Sequence, residues 1–224
     1  MSRFARQTAI LAVCLATLGA SGCAASGPSE LQRIQARAAY ERGLSDLGEG
    51  RPALGLAALR EAVTLDEGHA AYHNALGLLL LDLKKQSEAL AEFSRALALD
   101  PTLAEAQHNL GVALAEGGRW EDAIAAYQKV LSIPAYPTPD ITYHNLGWVQ
   151  YNVGRYREAE EALRLAIRLD PQQPGYYYTL GLVLLRTGIR AEARAAFRQA
   201  RELGPESPFA AAAVHHLQAL GEGG

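Results

Sequence analysis

Cysteine is scarce. The 224 residues hold two, Cys14 and Cys23. Cys14 sits inside an apolar N-terminal stretch that leaves with the leader, so no intramolecular disulfide can form in the mature chain. Basic runs are missing: 3 Lys and 18 Arg are scattered, and the formal net charge is −3. Removing the first 22 residues, which hold Arg3 and Arg6 but no acid, leaves 19 basic residues against 24 acidic ones. An acidic chain without a basic track has nothing to follow a phosphate backbone, which argues against nucleic acid as a partner. Catalytic signatures are missing too. There is no nucleophile elbow, P-loop or dinucleotide glycine fingerprint, so the sequence gives no support to an enzyme or a cofactor.

The N-terminus supplies the first positive signal. "MSRFAR" is a charged n-region, and "QTAILAVCLATLGA" is an apolar h-region too short to span a bilayer well. "ASGC" follows, with small Ser21 and Gly22 before Cys23. This resembles the lipobox of bacterial lipoproteins, although Ala20 stands where leucine is commonest. The resemblance implies cleavage before Cys23, acylation of its thiol and anchoring in a membrane. Ala24, rather than Asp, implies the outer membrane. The plainer alternative is an ordinary secretory leader with Cys23 incidental.

Beyond the leader the chain repeats itself. Glycines flanked by apolar residues stand at Gly43, Gly77, Gly111, Gly147 and Gly181, with spacings of 34, 34, 36 and 34. A second series of small residues, Ala62, Ala96, Val130, Ala166 and Ala200, keeps the same spacings. A period of 34 is that of tetratricopeptide repeats, each a pair of antiparallel helices that cannot bury its apolar face alone. The expected fold is therefore an all-α superhelical solenoid of five repeats plus a capping helix. The boundaries are 1–22 for the leader, 23–30 for the lipidated cysteine and tether, and 31–224 for the solenoid. Repeats fall at about 36–69, 70–103, 104–137, 140–173 and 174–207, with the cap at 208–220. The first repeat departs most, having Arg42 and Asp46 where apolar residues are usual.

Three prolines crowd into "LSIPAYPTPD" at 131–140, where a helix cannot continue. The spacing of 36 locates two extra residues there, at the junction of the third and fourth repeats. Register resumes at once, with Thr138 as the expected N-cap, Pro139 at the first helical position and Asp140 in the first turn. The stretch reads as a stiff elbow inside one solenoid.

"AYPTPDITYHNLG" at the elbow resembles the PilF/PilW/Tgl lipoproteins of type IV pilus systems, in which a Tyr-Pro pair likewise precedes the fourth repeat's Asn-Leu-Gly. Here these are Tyr136-Pro137 and Asn145-Leu146-Gly147. "RLDPQQP" at 168–174 resembles the next junction of that family. Family members usually complete six repeats, whereas this chain has one helix of the sixth. The resemblance implies a pilotin, a lipoprotein that binds the secretin subunit of a type IV pilus machine and promotes its assembly at the outer membrane. A different lipoprotein adaptor, organising cell-wall enzymes or an export complex, is the other reading. The chain is expected to be monomeric when unbound.

Tetratricopeptide domains bind peptides through recurring positions of the first helix. Position 9 is Leu44, Leu78, Val112, Trp148 and Leu182; position 12 is Leu47, Leu81, Ala115, Tyr151 and Leu185; position 5 is Tyr40, Asn74, His108, His144 and Tyr178. The concave face is thus expected to carry an apolar stripe with a polar edge, suited to an amphipathic helix. The competing reading packs these residues between neighbouring repeats. His108 with His144, and His215 with His216, lack the i, i+4 spacing of a helical zinc site, so no metal is expected.

Overall fold

The computed structural model describes residues 27–134 and 136–221. The leader, Cys23 and the tether up to residue 26 lie outside the described residues, so the expectations placed on them are neither met nor refuted. Among the described residues there are eleven helices and no strand. They run as α1 (Glu30–Gly48), α2 (Pro52–Leu65), α3 (Ala70–Asp82), α4 (Gln86–Leu99), α5 (Ala104–Glu116), α6 (Trp120–Leu131), α7 (Pro139–Asn152), α8 (Tyr156–Leu169), α9 (Pro174–Arg186), α10 (Arg190–Leu203) and α11 (Pro208–Ala219).

Start and stop signals are local. Ser29 caps α1 in a reciprocal box, its Oγ accepting from Gln32 N while Ser29 N donates to Gln32 Oε1 at 2.8 Å. Pro52, Pro139, Pro174 and Pro208 open their helices, where the missing N–H costs nothing. Within each pair the turn is a Schellman motif. In the fourth repeat Arg155 N donates to Gln150 O at 2.8 Å and Gly154 N to Tyr151 O at 3.1 Å. The turn needs a left-handed residue, and Gly50, Gly118, Gly154 and Gly188 supply it at φ 71–81°. Lys84 fills that place in the second repeat at φ 61°. Between repeats, Asp100 and Asp170 each fold a carboxylate back on the next turn, accepting from Thr102 N and Gln172 N at 2.9 Å. These bonds hold both carboxyls below the usual range, Asp100 through Thr102 and Asp170 through Gln173 and Gln172.

Close approach explains the first glycine series. A Cβ on Gly77, Gly111 or Gly181 would lie within 2.7 Å of the ring of Phe93, Tyr127 or Phe197, and one on Gly147 would lie 2.7 Å from Leu163 Cγ. Phe93 and Phe197 are fully buried, as are the small residues Ala62, Ala96, Val130, Ala166 and Ala200. Each pair therefore meets at a glycine on the first helix and a large side chain on the second. Asp46, the oddity of the first repeat, is buried but paired with Arg51 Nη2 at 2.7 Å.

The cores run on from pair to pair. One cluster joins Leu59 of α2 to Leu76 and Leu80 of α3 and Ala113 of α5, and another joins Tyr127 of α6 to Leu146 and Val149 of α7. First helices also touch first helices, α3 on α5, α5 on α7 and α7 on α9, whereas the second helices make no comparable contact with one another. The first helices therefore line the inner, concave side.

Candidate protein-binding groove

Position 9 produces the stripe. Leu44, Leu78 and Trp148 expose 43%, 44% and 40% of their surface on α1, α3 and α7, so that one recurring position lays exposed apolar side chains in a row. Val112 and Leu182 continue the row, half-buried, on α5 and α9. Trp148 stacks on Tyr151, ring centroids 5.7 Å apart and 19° from parallel. Tyr151 continues through Tyr156, over whose ring the Arg186 guanidinium sits at 5.0 Å. Beside Trp148, between the third and fourth repeats, a depression of about 300 Å³ is lined by Val112, Glu116, Trp120, Tyr127 and Asn145.

Position 12 is mixed. Leu47, Ala115, Tyr151 and Leu185 are half-buried. Leu81 is 4% exposed and belongs to the core around Leu59, Leu76, Leu80 and Phe93, so it is not a groove contact. It closes a run of four leucines, 78–81, of which Leu78 alone is left outside.

Position 5 joins repeats. His108 Nδ1 lies 2.8 Å from Thr142 Oγ1, and His144 Nε2 lies 3.0 Å from Thr179 Oγ1. Thr179 donates its proton to Gly175 O at 2.9 Å, so His144 Nε2–H is the donor to Thr179. Burial holds the imidazole of His108 below its ordinary range and that of His144 down to about 4, which keeps both neutral. Asn74 Oδ1 accepts from Asn109 Nδ2 at 3.0 Å. Tyr40 packs on Tyr72 at 4.9 Å, and Tyr178 on Phe197 and Phe209 at 5.8 Å. The polar edge expected of His108 and His144 is thus largely a set of bolts between adjacent first helices.

Sequence reasoning missed the bolts' partners, Thr142 and Thr179. It placed Thr138 correctly as N-cap, but the Thr138 side chain makes no capping bond. What the elbow does provide is Tyr136, whose ring stacks over His108 at 6.4 Å and whose hydroxyl accepts from the buried Thr142 at 3.3 Å. The elbow is packed against α5 and α7. Among the described residues, no three His, Cys, Asp or Glu side chains group closely enough to hold a metal ion, and no helix is long and apolar enough to cross a membrane.

Family models described as tetratricopeptide repeats match residues 102–172 and 144–208, and one described as a TPR repeat matches 77–116. This is a tetratricopeptide-repeat protein. Its helices form that family's superhelix of antiparallel pairs, and it is a protein–protein interaction scaffold. No match was found among curated proteins. Among solved structures it is similar to PilW, a widely conserved type IV pilus biogenesis factor, at 22% identity and a TM-score of 0.72, over 86% of this chain and 90% of that one. PilF of Pseudomonas aeruginosa is similar at 22% identity and 0.69, over 87% and 96%. MamA of Desulfovibrio magneticus is similar at 22% and 0.70, over 78% and 97%. At such identities the likeness establishes the fold of this tetratricopeptide protein.

Proposed function

We propose that this chain is an outer-membrane lipoprotein pilotin, anchored through acylated Cys23, that captures the secretin subunit of a type IV pilus machine and promotes its assembly. The partner segment lies along the concave row of Leu44, Leu78, Val112, Trp148 and Leu182, and the protein acts without catalysis. One observation carries the reading: Leu44, Leu78 and Trp148 stand exposed at the same position of three first helices, in one row along the concave side. A scaffold needs no such row unless something covers it. Likeness to PilW and PilF over nearly their whole length supports the choice of partner.

A comparable likeness to MamA favours a second reading, a different adaptor on the same fold. One experiment separates them. In native cells, Cys23→Ala should release the protein from the outer membrane and lower the level of secretin multimers seen on unheated gels. If deleting the whole gene leaves secretin multimers unchanged, the pilotin reading is wrong. If Cys23→Ala still fractionates with the outer membrane, the lipid anchor is wrong.

A further inference from the structure

The three central first helices carry acids and no Lys or Arg: α3, α5 and α7 hold Asp82, Glu105, Glu116 and Asp140, in a chain with 21 basic residues. Asp82, Glu105 and Glu116 are exposed. Asp140 accepts a bond from the Tyr176 hydroxyl at 2.8 Å. His108 and His144 do not offset these charges, since burial keeps them neutral, and His73 on α3 is engaged by Glu92 of α4 at 2.7 Å. Basic residues gather at the two ends of the row instead, with Arg37 on α1 tied to Glu41 and Arg186 on α9 over the Tyr156 ring. One cation reaches in from outside: Lys84, in the turn after α3, approaches Glu116 at 3.4 Å, with both side chains well exposed. A pair so long and so wet holds little energy and gives way to a better partner.

From this charge pattern we infer that the segment held in the groove is a basic amphipathic helix, apolar on the face toward Leu78 and Trp148 and lysine- or arginine-rich along its flanks. The inference rests on the groove reading above and adds the partner's chemistry. The depression beside Trp148 shows how one anchor fits. Val112, Trp120 and Trp148 offer apolar and aromatic walls to the stem of a long side chain, and the Glu116 carboxylate at the same site meets its cationic head. Complementary charge also speeds encounter and makes capture salt-sensitive.

The chain's two tryptophans, Trp120 and Trp148, both line this depression, so intrinsic emission reports its occupancy. The full mature chain as the soluble Cys23→Ser form is titrated with two synthetic amphipathic helices sharing one leucine pattern, one with lysine on the polar face and one with glutamate. The lysine peptide should shift the emission and bind about tenfold more weakly when salt rises from about 50 to about 500 mM, and the glutamate peptide should not bind. Combining Asp82→Asn, Glu105→Gln and Glu116→Gln should weaken the lysine peptide about fivefold or more, whereas Glu158→Gln, Glu161→Gln and Glu202→Gln together, on the outer helices, should not. Equal binding of both peptides would leave the groove standing and overturn the inference about charge. Equal weakening by the outer substitutions would assign the attraction to the chain's overall acidity, and would overturn it as well. No emission change with either peptide would remove the groove, and the inference with it.

Discussion

Alanine at Gly181 should destabilise the fifth repeat although alanine is the better helix former. Its Cβ would lie 2.6 Å from Phe197 Cε1 and 2.8 Å from Cδ1 and Cζ. Carbon atoms in contact prefer about 3.5–4.0 Å, so the ring must retreat by roughly 1 Å. Phe197 has nowhere to go: it is fully buried, stacked on His216 at 4.8 Å and beside Tyr178 at 5.8 Å. Overpacking a close-packed site costs about 1–3 kcal/mol, and an overlap this deep belongs at the upper end. Replacing a helical glycine returns about 1 kcal/mol. The expected net loss is about 2 kcal/mol, roughly 4–8 °C in Tm for a chain of this size. Gly48→Ala is the control, since that Cβ would meet nothing within 4 Å, and it should melt at or slightly above the parent. Gly43→Ala, facing the more adaptable Leu59 at 2.9 Å, should fall between them. Circular dichroism melts of the three soluble variants make the comparison. If Gly181→Ala melts no lower than Gly48→Ala, the close approach of helix on ring is wrong.

Three further outcomes are expected. Gln150 is buried with an Oε1 that has no partner among the described residues, at the place where Leu80, Leu114 and Leu184 stand in other repeats; Gln150→Leu should raise stability by about 1 kcal/mol in urea unfolding. His144 is held neutral by burial, with a folded pKa of about 4 against an ordinary 6.5. The unfolded chain therefore binds the extra proton first, and this contribution, on the order of 3 kcal/mol, is complete above about pH 6.5 and lost as pH falls toward 4. Urea midpoints across that window should decline, and should decline less in His144→Gln. Tyr136→Ala should cost about 1–2 kcal/mol by uncovering His108 and Thr142; an unchanged melt would make the elbow a mere spacer.

Legibility in the sequence followed the kind of constraint. Gly77, Gly111 and Gly181 could be found because a ring at contact distance excludes every larger residue, and the exclusion recurs with each repeat. The turn glycines were missed because Lys84 interrupts their series, and a left-handed φ is a backbone demand that lysine meets at a cost. Exposure was the hardest property to read. Periodicity places Leu78 and Leu81 on one helix with equal claim to the groove, but which of them the next repeat covers depends on how the pairs stack. The histidine bolts were hidden for a related reason. His108 reaches Thr142 across 34 residues and His144 reaches Thr179 across 35, so no single period links donor to acceptor.

The central claim is that position 9 faces a partner while its neighbours face the core, and paired alanine substitutions on α7 test it. Trp148 is 40% exposed and Leu146 is 6% exposed, two residues apart on one helix. Trp148→Ala should lower secretin capture by about 2 kcal/mol or more, at least about thirtyfold, with a melt close to the parent's. Leu146→Ala should open a cavity beside Tyr127 and cost about 2–5 kcal/mol of stability. Co-purification of the secretin with each variant, at a temperature where both are folded, is the deciding measurement. Capture lost with Trp148 and retained with Leu146 is the predicted result. Capture retained without Trp148, or lost only in proportion to its melting temperature, would contradict the account.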